Sequence, residues 1–243
     1  MQKNMKNNNL IKVAILCGGR GKRLGKITKK IPKPLVRLEK KTILEHKVDY
    51  YSKQGIKNYI FCTGYKSDLI KSYLKNKYKN SIFSDSGLNA GILKRLFEAR
   101  QYFEENTILS YGDTLARINF KNLLLKHKKS KALLTIVVAP IKNPFGIVNS
   151  NKVGKVLNFN EKPILNHFIG YGIFKKNIFN YLNKRIINQK NGKGIVLAIK
   201  NLSKRKLVNV YKFNGLQLTV NSPSELKSAG LKLKKYFTFN EVL

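Results

Sequence analysis

Short apolar runs alternate with segments of helical periodicity through the first half of this chain, and that alternation constrains the fold more than any other feature. Strands are predicted at residues 11–16, 58–62, 81–84, 107–111 and 132–139. Helices are predicted between them at 42–52, 67–74, 90–103 and 120–129. Strands separated by helices of this size form βαβ units, whose strands lie parallel. We therefore expect an α/β fold with a mostly parallel sheet and helices on both faces.

The pattern changes after Pro140. Closely spaced strands are predicted at 146–149, 153–160 and 167–174, followed by helices at 177–182 and 194–203 and strands at 207–213 and 216–220. This spacing predicts an antiparallel, β-rich excursion from the parallel sheet. No domain-sized linker interrupts the chain, so we expect a single domain. Its predicted parts are a disordered tail at 1–10, then one domain over 11–243, made of a core at 11–140, the β-rich part at 141–220 and a closing helix at 222–243.

The chain carries a formal net charge of +37, from 49 basic and 12 acidic side chains. Such a field attracts polyanions. Only 8 of the basic residues are Arg, and the 41 Lys are scattered along the whole chain, whereas proteins that recognise bases favour Arg. We therefore expect no specific nucleic-acid recognition. An apolar content of 42% excludes a wholly disordered chain, and no apolar run approaches the ~18 residues of a membrane span.

The cysteine and histidine residues give no sign of a zinc site or a disulfide framework. Cys17 and Cys62 each end an apolar run, and neither belongs to a CxxC motif or a Cys/His ligand pattern. The three His share no metal-ligand spacing. We expect both cysteines to be buried free thiols.

A glycine-rich loop, CGGRGKRLG at 17–25, directly follows the first predicted strand. Its glycines allow backbone N–H groups to approach an anion at the carboxyl end of the sheet. The loop is not a dinucleotide fingerprint, because Leu24 occupies the position of the third glycine. Further on, Pro32 and Pro34 restrict the backbone on both sides of Lys33. A restrained ammonium near a phosphate loop suits phosphoryl-group chemistry, and we expect neither Lys33 nor Arg23 to pack in the core.

Together these residues resemble the opening of the sugar-1-phosphate nucleotidylyltransferases, GGxGxRL followed by PKPM or PKPL. Later blocks fit in the same order: SGLNAG at 86–91 resembles the nucleobase-side loop, YGD at 111–113 the strand-end GD, FGIV at 145–148 the sugar-side FGxV, and EKP at 161–163 the EKP block. The resemblance covers roughly residues 10–230. Details at 62–66 and 91–95 are most similar to the glucose-1-phosphate cytidylyltransferase branch. The resemblance implies a Rossmann-like nucleotidyltransferase sheet, with the nucleotide bound by 11–140 and the sugar by 141–220.

The family reaction is an in-line attack of the sugar-1-phosphate oxygen on the α-phosphorus of a nucleoside triphosphate, with pyrophosphate as the leaving group. It relies on positioning and on neutralising charge at the phosphoryl oxygens. The resemblance implies catalytic roles for Arg23, Lys33 and Asp113. It implies nucleotide binding by Gly18, Gly19, Gly21, Asn89 and Gly91. It implies binding of the sugar phosphate by Gly146, Glu161, Lys162 and Gly172.

The resemblance also implies Mg²⁺ as cofactor, with Asp113 as a ligand. Relatives have a second Asp near the C-terminus, where this chain offers only Thr219 or Asn221 as candidates. A single carboxylate is a poorer cage for Mg²⁺. A second departure is Gly170, which stands where the sugar-side block usually has Asn, so the sugar is not predicted.

We therefore expect a cytoplasmic nucleotidylyltransferase that makes a nucleotide sugar for a cell-surface polysaccharide. Its partners are a sugar-1-phosphate and a nucleoside triphosphate, with CTP favoured. The sequence does not decide whether the chain forms a homo-oligomer. One alternative is a catalytically weakened homologue that binds nucleotide or a partner protein. The other, less favoured alternative is a basic nucleic-acid-binding protein.

Overall fold

A seven-stranded sheet lies at the centre of the described chain. The computed structural model describes residues 11–238; the predicted tail 1–10 and the last part of the predicted closing helix, 239–243, lie outside the described residues. The strands are β1 (Lys12–Leu16), β2 (Arg37–Leu38), β3 (Lys41–Thr42), β4 (Asn58–Thr63), β5 (Ser81–Asp85), β6 (Asn106–Tyr111), β7 (Thr114–Ala116), β8 (Leu134–Lys142), β9 (Ile147–Ser150), β10 (Val156–Asn160), β11 (Ile164–Lys175), β12 (Val208–Lys212) and β13 (Gln217–Thr219). The sheet order is β5-β4-β1-β6-β11-β8-β12, with β11 antiparallel to both neighbours and the other pairs parallel. The predicted α/β fold with a mostly parallel sheet is confirmed.

Helices cover both faces of this sheet. They are α1 (Lys26–Lys30), α2 (Ile43–Lys53), α3 (Ser67–Lys75), α4 (Ile92–Glu98), α5 (Phe120–Lys129), α6 (Lys184–Ile187), α7 (Lys193–Lys204) and α8 (Pro223–Thr238). Successive residues of a strand point to opposite faces. Val13 and Ile15 of β1 therefore pack in one core with α2, α3 and α5, whereas Ala14 packs in another core with α4 and α7. Among residues 11–238, no helix combines the length and apolar character needed to cross a bilayer.

A third, smaller core joins the start and the end of the described chain. Its buried members are Leu24, Val36, Leu38, Ile43, Leu115, Leu218, Val220, Ala229 and Leu233. Leu24 directly follows Arg23, and Val220 directly precedes Asn221. Packing of this core therefore places two candidate site residues that are far apart in sequence next to each other.

The predicted helices are present, with differences that have local causes. Helix α2 begins after Thr42 in a capping box, in which the Thr42 side chain accepts a hydrogen bond from the Glu45 N–H. Helix α3 follows Lys66, which has a left-handed conformation with φ 52°, and no side chain caps its N-terminus. The Ser67 hydroxyl is engaged elsewhere, because it donates to Thr63 Oγ1 at 2.8 Å. The helix predicted at 177–182 is a 3-10 helix, Lys176–Tyr181.

The β-rich excursion predicted after residue 140 is present as an antiparallel hairpin of β9 and β10, continued by the first part of β11. All side chains of β10 are exposed, and so are most of those of β9. Large apolar side chains such as Phe145, Val153 and Phe159 face solvent. This hairpin therefore extends from the body of the protein rather than contributing to one of its three cores.

A buried histidine makes stability depend on pH. His127 of α5 is fully buried, with Nδ1 2.7 Å from Thr135 Oγ1. Burial, assisted by the charge of Lys175, lowers the pKa of His127 to about 4, against about 6.5 in an unfolded chain. Between these values the unfolded chain binds a proton that the folded protein does not, so stability is lost as the pH falls from about 6.5 towards 4.

We expect His127 to lower the free energy of unfolding by about 2 kcal/mol between pH 7 and pH 5. Denaturant titrations of the parent and of His127→Gln at both pH values measure this contribution. The variant should lose less stability than the parent, and equal losses would contradict the assignment.

Candidate active site

A cleft lies at the carboxyl ends of β1 and β6. The chain leaves β1 towards β4 and β5 on one side and later returns to β6 on the other, so the loops after β1 and β6 diverge at this point. Such a switch point is where open α/β sheets bind ligands. The cleft measures about 640 Å³, which is within the usual range of small-molecule sites. It is lined by residues 16–23, 33–34, 88–90, 92, 95, 111–113, 190–192 and 221.

The glycine-rich loop forms one wall of the cleft, and Gly18, Gly19 and Gly21 all line it. Gly21 has φ 62°, a conformation that favours glycine. A Cβ at Gly21 would also lie only 3.0 Å from the Cβ of Lys33. The loop and the Lys33 segment are therefore packed so closely that a side chain at position 21 would separate them.

Lys33 lies at the centre of the polar contacts in the cleft. Its ammonium donates to Asp113 Oδ2 at 2.6 Å and to Asn221 Oδ1 at 2.9 Å. The side chain was expected to stay out of the core, but Lys33 is only 8% exposed. The reason is its close packing against Gly21. Burial keeps the ammonium inside the cleft, and in this structure it connects two segments of the site.

Asp113 enters the cleft because the chain crosses the end of β1 just before it. The Gly112 N–H donates to the Leu16 carbonyl at 3.1 Å, and a Cβ at Gly112 would lie 2.5 Å from that oxygen. The Asp113 carbonyl accepts from the Val220 N–H at 3.1 Å. This bond connects the turn after β6 to the segment that carries Asn221.

The structure separates the two candidates for the second metal ligand. Asn221 lines the cleft, and its Oδ1 accepts from Arg23 Nη2 at 2.9 Å as well as from Lys33. Thr219 pairs with Thr114 in the β13–β7 ladder and is not among the lining residues. Arg23 and Lys33 thus share one acceptor, the amide oxygen of Asn221.

The donor set at this point suits a hard cation, although it is sparse. Within residues 11–238, no group of three or more His, Cys, Asp or Glu could hold a metal ion. Asp113 and Asn221 offer one carboxylate and one amide oxygen, both of which are ligand types that Mg²⁺ accepts. The pair therefore fits a Mg²⁺ that takes its remaining ligands from phosphate oxygens and water.

Positive charge predominates around the cleft. The cationic lining residues are Arg20, Lys22, Arg23, Lys33, Arg95 and Lys190, whereas Asp113 is the acidic one among the lining residues. Such an excess attracts multiply charged anions and strengthens their binding in a partly desolvated site. The cleft is therefore suited to phosphorylated ligands.

The nucleobase-side residues are divided between the cleft and the structure behind it. Asn89 lines the cleft. Gly91 precedes α4 and packs against the backbone carbonyl of Gln189, outside the lining. The segment 190–192 faces the same part of the cleft. This segment was not predicted to belong to the site, because its Asn and Lys resemble the rest of a polar stretch.

The four predicted sugar-side residues are not among those that line the cleft. A Cβ at Gly146 would lie 3.2 Å from Glu161 Oε2, and Lys162 Nζ lies 3.5 Å from Glu161 Oε1, with both side chains exposed. Gly172 pairs with Leu109 and Ile136 inside the sheet. Gly146, Glu161 and Lys162 thus form a group at the hairpin, and their role in sugar binding stays a prediction.

A buried lysine lies behind Asp113 and was not predicted. Lys47 is 1% exposed, and its ammonium donates to the Thr114 carbonyl at 2.5 Å and to the Tyr171 hydroxyl. Burial lowers the pKa of Lys47 to about 7, while the charge of Asp113 opposes that change. Lys47 lies on the apolar face of α2, three residues after Leu44. This position on the helix is the sequence feature that could have predicted its burial.

Adding a carboxylate at position 221 should strengthen metal binding. We expect Asn221→Asp to tighten Mg²⁺ binding roughly tenfold, because a second carboxylate raises the ligand charge. Thr219→Asp is the matched control, since that position lies outside the lining. Calorimetric titration of Mg²⁺ against both variants and the parent measures the effect. Equal tightening in both variants would mean that position 221 has no special access to the ion.

Known proteins resemble this chain in sequence and in fold. The family model for nucleotidyl transferase matches residues 12–215. A D-glycero-alpha-D-manno-heptose 1-phosphate guanylyltransferase from Aneurinibacillus thermoaerophilus is 34% identical over 155 residues, which is 61% of this chain and 66% of that enzyme, slightly less than two thirds of it. A protein from Bacillus subtilis (strain 168), named as a probable glucose-1-phosphate cytidylyltransferase, is 29% identical over 242 residues, which is 89% of this chain and 93% of that one. The crystal structure of HddC from Yersinia pseudotuberculosis matches with a TM-score of 0.70 and 22% identity, over 92% of this chain and 99% of that one.

Proposed function

The chain belongs to the sugar-1-phosphate nucleotidylyltransferase family, and from that premise we propose that it transfers a nucleotidyl group from a nucleoside triphosphate to a sugar-1-phosphate. Pyrophosphate leaves, and a nucleotide sugar forms. One observation carries the proposal: Lys33 connects Asp113 with Asn221 in a cationic cleft directly beside the glycine-rich loop. This is an arrangement suited to a phosphoryl group in transfer.

In the proposed mechanism the protein positions the substrates and neutralises charge. Backbone N–H groups of Gly18, Gly19 and Gly21 bind the triphosphate. Arg23 binds the β- and γ-phosphates and stabilises the pyrophosphate as it leaves. Lys33 moves its ammonium from Asp113 to the α-phosphate, where charge develops during in-line attack. Asp113 and Asn221 would hold Mg²⁺, which would supply additional positive charge at the phosphate oxygens.

For the nucleotide we propose CTP. The support is the cytidylyltransferase name of the relative that is aligned over 93% of its length, together with the blocks at 62–66 and 91–95. The guanylyltransferase relative makes GTP the main competitor. We further propose that Asn89 contacts the base and that Gly146, Glu161, Lys162 and Gly172 belong to the sugar side.

The remaining parts of the proposal concern organisation and biological role. We propose one domain made of three parts. Residues 11–140 bind the nucleotide, residues 141–220 bind the sugar, and residues 222–243 form the closing helix. The pairing of β11 and β12 into the same sheet as β1 supports this division within a single unit. We also propose a cytoplasmic location, where nucleoside triphosphates are supplied, and a product used for a cell-surface polysaccharide.

Pyrophosphate release across a matrix of four nucleoside triphosphates and several sugar-1-phosphates, with Mg²⁺, tests the activity. We expect release with CTP and at least one sugar-1-phosphate, and little without the sugar phosphate. Release that depends on GTP instead would replace the proposed base and leave the reaction class intact. No release with any pair would overturn the proposed reaction.

A catalytically weakened homologue is the second candidate; the named relatives do not favour it, and the observation that motivates it is Asn221 in the cleft. The two candidate metal ligands there provide only one carboxylate. Such a protein would bind nucleotide but not turn it over. Calorimetric binding of CTP together with absent pyrophosphate release would support this candidate.

A further inference from the structure

Arg95 is a buried cation between the two nucleotide-side loops. It lies on α4, is 4% exposed and lines the cleft. A Cβ at Gly18 would lie 2.6 Å from Arg95 Nε, and a Cβ at Gly64 would lie 2.6 Å from Arg95 Cζ. The guanidinium thus occupies the space that side chains at these two positions would need.

The hydrogen bonds of Arg95 connect separate segments of the site. Nη1 donates to the Thr63 carbonyl at the end of β4, and Nη2 lies 3.5 Å from the Leu88 carbonyl in the base-side loop. Together with its contact to Gly18, the guanidinium therefore touches the glycine-rich loop, the end of β4 and the base-side loop. A guanidinium has five N–H donors, more than these two carbonyls require.

Within residues 11–238 the charge of Arg95 is opposed by carboxylates only at longer range, those of Asp85 and Glu98. Among the described ion pairs no carboxylate lies within 4.0 Å of its guanidinium. Burying an unpaired charge is costly, and an apolar side chain could fill the same space at lower cost. The guanidinium borders a cleft that is suited to phosphorylated ligands. A direct ion-pair partner for the guanidinium is therefore most simply supplied by a ligand.

We propose that Arg95 is a nucleotide-binding determinant, whose buried guanidinium is neutralised by the anionic nucleotide and fixes the spacing between the glycine-rich loop and the base-side loop. The inference rests on the proposed function, since it takes a nucleoside triphosphate as the ligand. Gly18 and Gly64 are the matching features, because they leave room for the guanidinium.

The test is Arg95→Met, which keeps an unbranched side chain between the two glycines but removes the charge. We expect the dissociation constant for CTP, or for GTP if that is the nucleotide bound, to rise at least about tenfold. The KM for the sugar-1-phosphate should stay within twofold, and the thermal midpoint should not fall. Arg100→Met is the matched control, because Arg100 is exposed and lies outside the cleft lining.

A second variant tests the fit of Gly18 to Arg95. In Gly18→Ala the new Cβ would displace the guanidinium, so nucleotide affinity should fall in the parent background. In the Arg95→Ala background the same substitution should cost clearly less. Additive losses would mean that Gly18 acts independently of Arg95.

The outcomes separate this inference from the proposed reaction. Unchanged nucleotide binding in Arg95→Met, or a loss of binding that merely follows a lower thermal midpoint, overturns the role of Arg95 even if the parent releases pyrophosphate. Normal nucleotide binding by the parent without any pyrophosphate release overturns the reaction, while the comparison of Arg95→Met with the parent still decides the inference. A parent that binds none of the four nucleoside triphosphates overturns both.

Discussion

Metal-dependent pyrophosphate release by Asp113→Asn should fall by at least about a thousandfold, on the order of the effect of removing a preorganised charge together with the cation that it binds. Asp113 is the acidic residue in the cleft lining. Its replacement leaves no carboxylate there for Mg²⁺, and triphosphate oxygens alone would have to retain the ion. Initial rates at several Mg²⁺ concentrations, with saturating substrates, measure the change.

Two controls separate this effect from misfolding. Asp68→Asn removes an exposed carboxylate on α3 and should retain the parent rate. Thermal unfolding of Asp113→Asn should stay cooperative, although the loss of the ion pair with Lys33 lowers its midpoint. If Asp113→Asn retains the parent rate and its Mg²⁺ dependence, the metal role of Asp113 is wrong.

For Lys33→Met we expect turnover to fall about a hundredfold, because one preorganised charge at the phosphoryl centre is lost. The same variant should bind Mg²⁺ more tightly than the parent in the absence of nucleotide. In the parent, the Lys33 ammonium occupies Asp113 Oδ2 at 2.6 Å and Asn221 Oδ1 at 2.9 Å, so a metal ion must compete with it. Pyrophosphate release and Mg²⁺ calorimetry measure the two effects separately.

Opposite signs of the two effects make this prediction specific. General damage to the site would lower turnover and metal affinity together, whereas removal of a competing ammonium lowers the first and raises the second. Lys29→Met, an exposed position on α1, is the control for loss of one positive charge. A Lys33→Met variant with full turnover would show that the ammonium does not act on the phosphoryl group.

The fold could be predicted because its signals are local. The alternation of strands and helices depends on apolar residues a few positions apart, so the bounds of α5 were predicted without error. The glycine-rich loop and Asp113 could also be placed, because each directly follows a strand of a parallel sheet and such strands end at one edge. Lys33 could be identified from its flanking prolines. Its burial could not be predicted, because it comes from packing against Gly21, a loop residue twelve positions earlier.

Other parts of the site depend on contacts between distant segments. The choice of Asn221 over Thr219 follows from the register of β13 with β7, which no short stretch of sequence determines. Lys47 and Arg95 are charged residues on helices, which sequence reasoning normally assigns to the surface. Their burial is stabilised by carbonyl groups of β4, β7 and the base-side loop. Such partners become visible only in the folded protein.

Cys17 is the first residue of the glycine-rich loop, yet its surroundings make its thiol unreactive in the folded protein. Its thiol is 1% exposed, and burial raises the pKa well above its ordinary value. Alkylating and oxidising reagents act on the thiolate, and the raised pKa keeps the thiolate form of Cys17 scarce. The folded protein is therefore protected against thiol-directed inactivation at its own site. Any labelling of Cys17 reports a transient opening of the loop, so its rate becomes a measure of how often the phosphate site loses its shape.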